Sequence, residues 1–267
     1  FRPETEEAAR STPIESVGVP DVGAGYSLSP TDAAELQADA RLQETLHVVS
    51  KSQTLAVDLI EIDANRAILL ICMPDQPELL TLISGILFSG GLDIRRGRVA
   101  SGPESLNTLA IPSGLFAGRL MIEAQDSDTL PTDLRRNIRT QIERLTEKSH
   151  SQGAEAVREE LIALFCLRME ATQHRDSLSS NLLITDSPAQ DNTATIVTIR
   201  SADNAGFLFE LSNALNLCRF RIRRAEVDAK SNRVRDQLWI TEPEQQLPLT
   251  ETRVQEIYSA VTLIQQF

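Results

Sequence analysis

Two turns in this chain carry residue types suited to holding a small anion. The first is Asp75-Gln76-Pro77 and the second is Asp203-Asn204-Ala205-Gly206-Phe207. Each follows an apolar run and leads into leucine-rich sequence with helical spacing. A helix N-terminus offers unpaired N–H groups and partial positive charge, which together attract a carboxylate. At Gly206 no Cβ stands in the way of a ligand approaching the backbone. Glu78 occupies the matching place in the first turn, where it adds negative charge and bulk. At both turns the competing account is that the turn is only a turn. A second feature is arginine: Arg95 and Arg96 mirror Arg223 and Arg224, with Arg98 and Arg221 close by. Strand alternation puts Arg96 with Arg98, and Arg221 with Arg223, on one face of each strand, while their neighbours point oppositely. Such a patch suits a carboxylate or an acidic partner. Solvated strand faces, paired with acids such as Glu226 and Asp228, are the simpler explanation.

The elements that must position these residues come in two copies. Residues 68–101 and 196–229 align without a gap at a constant offset of 128. From Asp75 to Ser101, eight of 27 positions are identical to their counterparts, where unrelated sequences give about two. A repeat this long is a small domain used twice rather than a solenoid unit. In the first copy, strand Ile68–Met73 runs into the Asp75 turn, with Asp75 as the expected helix N-cap or the residue before it. Leu80, Ile83 and Leu87 then form an apolar stripe, and Gly90-Gly91 end the helix. Strands Asp93–Ser101 and Arg119–Ala124 follow. The second copy repeats the order: strand Thr195–Arg200, helix Phe207–Leu217, strands Phe220–Ala229 and Val234–Thr241, and a last helix through Val254, Ile257, Tyr258 and Val261.

Further elements flank the copies. Residues 1–30 hold four prolines and little apolar periodicity, which predicts a flexible leader. Thr31 and Asp32 cap an expected helix to about Val49. Leu55–Ile62 and Arg66–Met73 are β-like, with a turn at Asp63–Asn65. Residues 131–170 carry two helices marked by Leu134, Ile138, Ile142 and Leu145, then Val157, Leu161, Leu164 and Phe165. Asn181–Thr185 is expected as the strand closing the first unit. Each unit therefore reads β-α-β-β-α with a final strand due next. In the second unit no residues remain for that strand. With Phe1 in place of a starting Met, this suggests a piece of a longer polypeptide. The domain expectation is a leader at 1–30, a first unit at 31–186 with its insert at 131–170, and a second unit at 193–267 truncated before its last strand.

Composition narrows the function. A net charge of −12 argues against nucleic acid and against an anionic membrane surface. No apolar run approaches the roughly 20 residues of a membrane-spanning helix. Cys72, Cys166 and Cys218 each sit in an apolar pattern, which predicts buried, reduced thiols and a cytoplasmic protein. The three histidines share no metal-ligand spacing, so neither metal nor cofactor is expected. There is no glycine-rich phosphate loop, nucleophile elbow or paired metal-binding carboxylates, so these residues offer no catalytic motif.

The segments "ICMPDQPELLTLISGILFSGGLDIRRGRV" and "IRSADNAGFLFELSNALNLCRFRIRRAEV" resemble the first strand, turn, helix and second strand of ACT-domain regulatory modules. "RVRDQLWITE" resembles the third strand of such modules in nitrogen-regulating nucleotidyltransferases of the glutamine synthetase adenylyltransferase or PII uridylyltransferase type. The resemblance covers most of residues 66–125 and 194–265. It implies an α+β fold of two ferredoxin-like (βαββαβ) modules. It further implies a regulatory region binding an amino acid, glutamine being the first candidate, at Asp203, Asn204, Ala205, Gly206, Phe207 and at Asp75, Gln76, Pro77. The implied partners are the amino acid, a catalytic domain of the same polypeptide, and a second copy of the chain. Two alternatives stay open: an interaction scaffold using the two-helix insert, and the regulatory part of a large amino-acid dehydrogenase. An RNA-recognition module shares the strand order but needs aromatic platforms and a basic surface. The chain has only Phe220 and Trp239 in the relevant strands.

Overall fold

A computed structural model describes residues 29–106, 108–125, 129–172, 183–202, 206–230, 233–243 and 247–264. The chain forms α1 (Pro30–Ser52), β1 (Ala56–Glu61), β2 (Arg66–Pro74), α2 (Leu79–Ser89), β3 (Leu92–Ser101), β4 (Ser105–Leu106), β5 (Leu109–Ala110) and β6 (Leu115–Ala124). It continues through α3 (Leu134–Gln152), α4 (Ala154–Thr172), β7 (Leu183–Pro188), β8 (Thr195–Ala202), α5 (Phe207–Leu217), β9 (Arg221–Lys230), β10 (Arg233–Thr241) and α6 (Glu251–Ile264). The fold is α+β. One antiparallel eight-stranded sheet runs β1-β2-β6-β3-β9-β10-β8-β7, and β4 pairs with β5 in a small hairpin.

The halves meet at β3 and β9, where Arg98 lies opposite Glu226. These two positions are counterparts at the offset of 128. Arg96 opposite Asp228 and Ala100 opposite Arg224 complete the symmetry. A local two-fold axis therefore passes through the Arg98–Glu226 pair, whose side chains come within 3.6 Å. Pairing the inner edges removes two exposed strand edges from the molecule.

The strand orders β1-β2-β6-β3 and β7-β8-β10-β9 are equivalent. In each half the fourth strand precedes the β-α-β-β-α run instead of following it. The segment expected to close the first unit differs accordingly: β7 begins at Leu183 and pairs with β8 of the second half. The edge beside β2 is taken by β1, through a turn in which Asp63 Oδ1 accepts from the N–H groups of Asn65 and Arg66. The position left for a final strand beside β8 is filled by β7. Residues 1–28, most of the expected leader, lie outside the described residues.

One face of the sheet carries α1 over β1, β2 and β6, where Ala34, Ala38, Leu42, Leu46 and Val49 pack on Ile68, Leu70, Cys72 and Ala117. The helix begins earlier than expected. Ser29 is the N-cap, its Oγ accepting from the Asp32 N–H, and Pro30 starts the helix. The other face carries the remaining helices. All residues of α2 from Leu79 to Phe88 are buried, because α3 and α4 cover it on one side and α5 on the other. Leu134, Ile138, Ile142 and Leu145 of α3, with Val157, Leu161 and Phe165 of α4, join the main core. The stripe of the insert is thus consumed by the chain's own core. β2 is buried on both faces, which explains its unbroken apolar run. Of the cysteines, Cys72 is buried, Cys218 half-buried and Cys166 exposed, so the expected burial holds for one of the three. No described helix is long and apolar enough to cross a membrane.

Candidate functional site

Both turns place a left-handed residue before their helix. The N-cap of α2 is Glu78 (φ 66°), not Asp75, and the N-cap of α5 is Gly206 (φ 83°). The two are counterparts in the repeat. The chain must turn sharply from strand to helix here, and Gly206 adopts that conformation without a Cβ penalty. Glu78 accepts the strain, and its carboxylate is held 2.5 Å from Arg158 of α4.

The two entrances differ in occupancy. At Gly206, Phe165 from α4 lies between Phe88 (centroids 4.8 Å apart) and Phe209 (5.1 Å). An added Cβ on Gly206 would lie 2.6 Å from the Phe165 ring. The remaining space beside Gly206 and Phe207 is about 30 Å³, room for little beyond a water molecule. At Gly206 and Phe207, two of the residues expected to bind a ligand, an aromatic side chain of the insert packs into the entrance. Asp203, Asn204 and Ala205 lie outside the described residues.

The first turn is open. Asp75, Gln76 and Pro77 line a cavity of about 440 Å³ between the halves, together with Ser101, Asn216, Phe220, Arg221 and Arg223. Its floor is apolar, from Leu79, Leu80, Val99 and Phe116. Where the closed end stacks Phe88 on the α4 ring near Phe209, this end has their counterparts Asn216 and Thr81, joined by a 2.6 Å hydrogen bond. The small polar pair leaves the space that aromatic rings fill at the other end.

Charge around the cavity is arranged in opposed pairs. Asp75 is nearly buried; it accepts from Ser101 Oγ at 2.8 Å and pairs with Arg221 at 2.6 Å. Arg223 is 7% exposed, its Nη2 is 2.6 Å from Glu104, and its Nη1 is buried without a hydrogen-bond partner. Gln76 reaches α3 by donating to Thr146 Oγ1 at 3.2 Å. Arg253 of α6 stacks on Phe220 and donates to the Cys218 carbonyl, which ties α6 to the rim. Such a pocket can seat a small molecule carrying both a carboxylate and an ammonium group on an apolar floor.

The remaining arginines of the expected patch behave as ordinary strand-face residues. Arg95 pairs with Asp93 and Glu123, Arg96 with Glu35 and Asp228, and Arg224 with Glu226 while lying over Trp239. A groove of about 480 Å³ beside α1 is lined by Arg96 with Glu35 and Asp228, by Arg98 with Glu226 and by Arg119 with Asp39. Of Arg95, Arg96, Arg223 and Arg224, the site gathers Arg223 alone. Ser101, Asn216 and Phe220 were not expected there. The available signal was the repeat itself: Asp93 in one copy becomes Arg221 in the other, so the two strands cannot serve alike.

No protein-family model matches the chain. The chain is 25% identical over 179 residues to a bifunctional uridylyltransferase/uridylyl-removing enzyme of Streptomyces coelicolor. The match covers 66% of this chain and 19% of that enzyme. It is a distant link to a nucleotidyltransferase, and the chain spans less than a fifth of the relative's length.

Proposed function

We propose that this chain is an amino-acid-sensing regulatory region of a nitrogen-metabolism enzyme, built from two ACT-like units of ferredoxin-like topology. The host would be a nucleotidyltransferase acting on glutamine synthetase or PII, and the ligand a glutamine-like amino acid. The observation that carries this reading is the cavity between the halves, lined by the cations Arg221 and Arg223 and by the acids Asp75 and Glu78 over an apolar floor. A guanidinium lining such a cavity can donate charge-assisted hydrogen bonds to an incoming carboxylate. Asp75 and Glu78, lining the same cavity, supply negative charge for an ammonium group. The similarity to a uridylyltransferase agrees with such a host.

Regulation follows from differential binding. The cavity walls come from both halves, and its turn is fastened to the insert through Gln76–Thr146 and Glu78–Arg158. A ligand that prefers one spacing of these walls biases the chain toward it, and couplings of this type are worth about 1–3 kcal/mol. Calorimetric titration with free amino acids, glutamine first, tests the reading. Binding is expected with the native chain and is lost in Arg223→Met and in Asp75→Asn, while Phe207→Leu retains it. No heat with any amino acid, or binding indifferent to Arg223, overturns it.

A further inference from the structure

The two halves treat one face of the sheet differently. In the first half α1 covers it, and the cross-strand pair Cys72–Ala117 is buried beneath the helix. The equivalent pair in the second half is Arg200–Arg235, directly opposed on β8 and β10. Arg233 lies two residues along on the same side, opposite Ala202, where the first half has Leu115 opposite Pro74. All three arginines are exposed, and none makes an ion pair or side-chain hydrogen bond among the described residues. Like charges directly opposed across a sheet repel, so the chain here keeps an unfavourable arrangement. It does so in a molecule of net charge −12, with ample acids to offset it.

We propose that this face of β8 and β10 docks an acidic segment of a partner protein. Charge complementarity selects the occupant: three planar guanidinium forks suit closely spaced carboxylates, which relieve the repulsion as they bind. The chain holds an internal example on the same side of its sheet. There α1 sends Glu35 to Arg96 at 3.0 Å and Asp39 to Arg119 at 2.8 Å. A nucleic acid fits poorly, since the acidic remainder of the surface repels a long polyanion.

Fluorescence anisotropy with a short labelled poly-L-glutamate peptide tests this on the full chain. Arg200→Ala/Arg233→Ala/Arg235→Ala is expected to weaken binding by about tenfold or more at low salt, with its melting temperature equal to or above that of the native chain. A charge-matched control, Arg66→Ala/Arg135→Ala/Arg136→Ala, is expected to leave the affinity unchanged. Equal weakening in both triples, no weakening in the first, or an oligonucleotide of the same length binding as tightly as the peptide overturns the proposal. Loss of the amino-acid response in the control would bear on the cavity between the halves, not on this face.

Discussion

At the scale of single residues, the turn before each helix decides what its half can hold. Gly206 is required by a left-handed backbone and by the ring packed against it. Gly206→Ala is therefore expected to destabilise the chain by at least about 1–2 kcal/mol from backbone strain alone, with more added if Phe165 is displaced. A guanidinium denaturation midpoint checks it. Thiol reactivity separates the cysteines. Burial pushes the Cys72 thiol up to about 12, so at neutral pH Cys166, the exposed one, reacts first with a maleimide. Rapid modification of Cys72 in the folded chain would contradict its burial. Glu160 gives a pH dependence. Hydrogen bonds from Arg144 and then Lys148 hold its carboxyl below the usual value. A folded-state pKa that is depressed contributes stability above the unfolded value, about 4.3, and that contribution fades as pH falls through the folded value. Glu160→Gln should flatten the acid limb of stability between about pH 4.5 and 3 and leave the alkaline limb unchanged.

At the scale of elements, the α3–α4 hairpin does the work that α6 does in the second half, and more. It covers α2, fastens Glu78 and Gln76 of the open turn, and sends Phe165 into the closed one. Its apolar stripe looked available for a partner when judged by periodicity alone, yet the stripe lies in the core. Phe165→Ala is expected to cost about 3–5 kcal/mol and to open space beside Gly206. Denaturant titration gives the first effect. A new response to small aromatic molecules such as indole, absent from the native chain, reports the second.

At the scale of the whole molecule, β3 and β9 make one continuous sheet from two units, and α2 packs against α5 across the same seam. Separating the halves would expose two strand edges and two apolar helix faces together. The chain is accordingly expected to unfold in one cooperative step, with fluorescence and far-UV circular dichroism giving coincident transitions. Two separable transitions would show that the seam contributes little. Placing Pro at Val99, at the centre of β3 and paired with Gly118 of β6 on one side and Ala225 of β9 on the other, should abolish that step by disrupting the ladder beside the seam.

Much of this was determined by the sequence without coordinates. Periodicity marked every long helix and the strands of both copies, because burying one face imposes a regular apolar spacing whatever the partner. The constant offset announced two like units, and Asp75, Gln76, Pro77 and Arg223, among the candidate ligand-binding residues, line the cavity between them. The tertiary structure alone decided which turn is open, which arginine reaches it and which strand closes each unit. Those outcomes depend on residues distant in the chain: Phe165 filling one entrance, Asn216 and Ser101 shaping the other, and β7 pairing forward with β8. Local pattern reports what a segment must bury or expose. It carries no information on which remote side chain arrives to meet it.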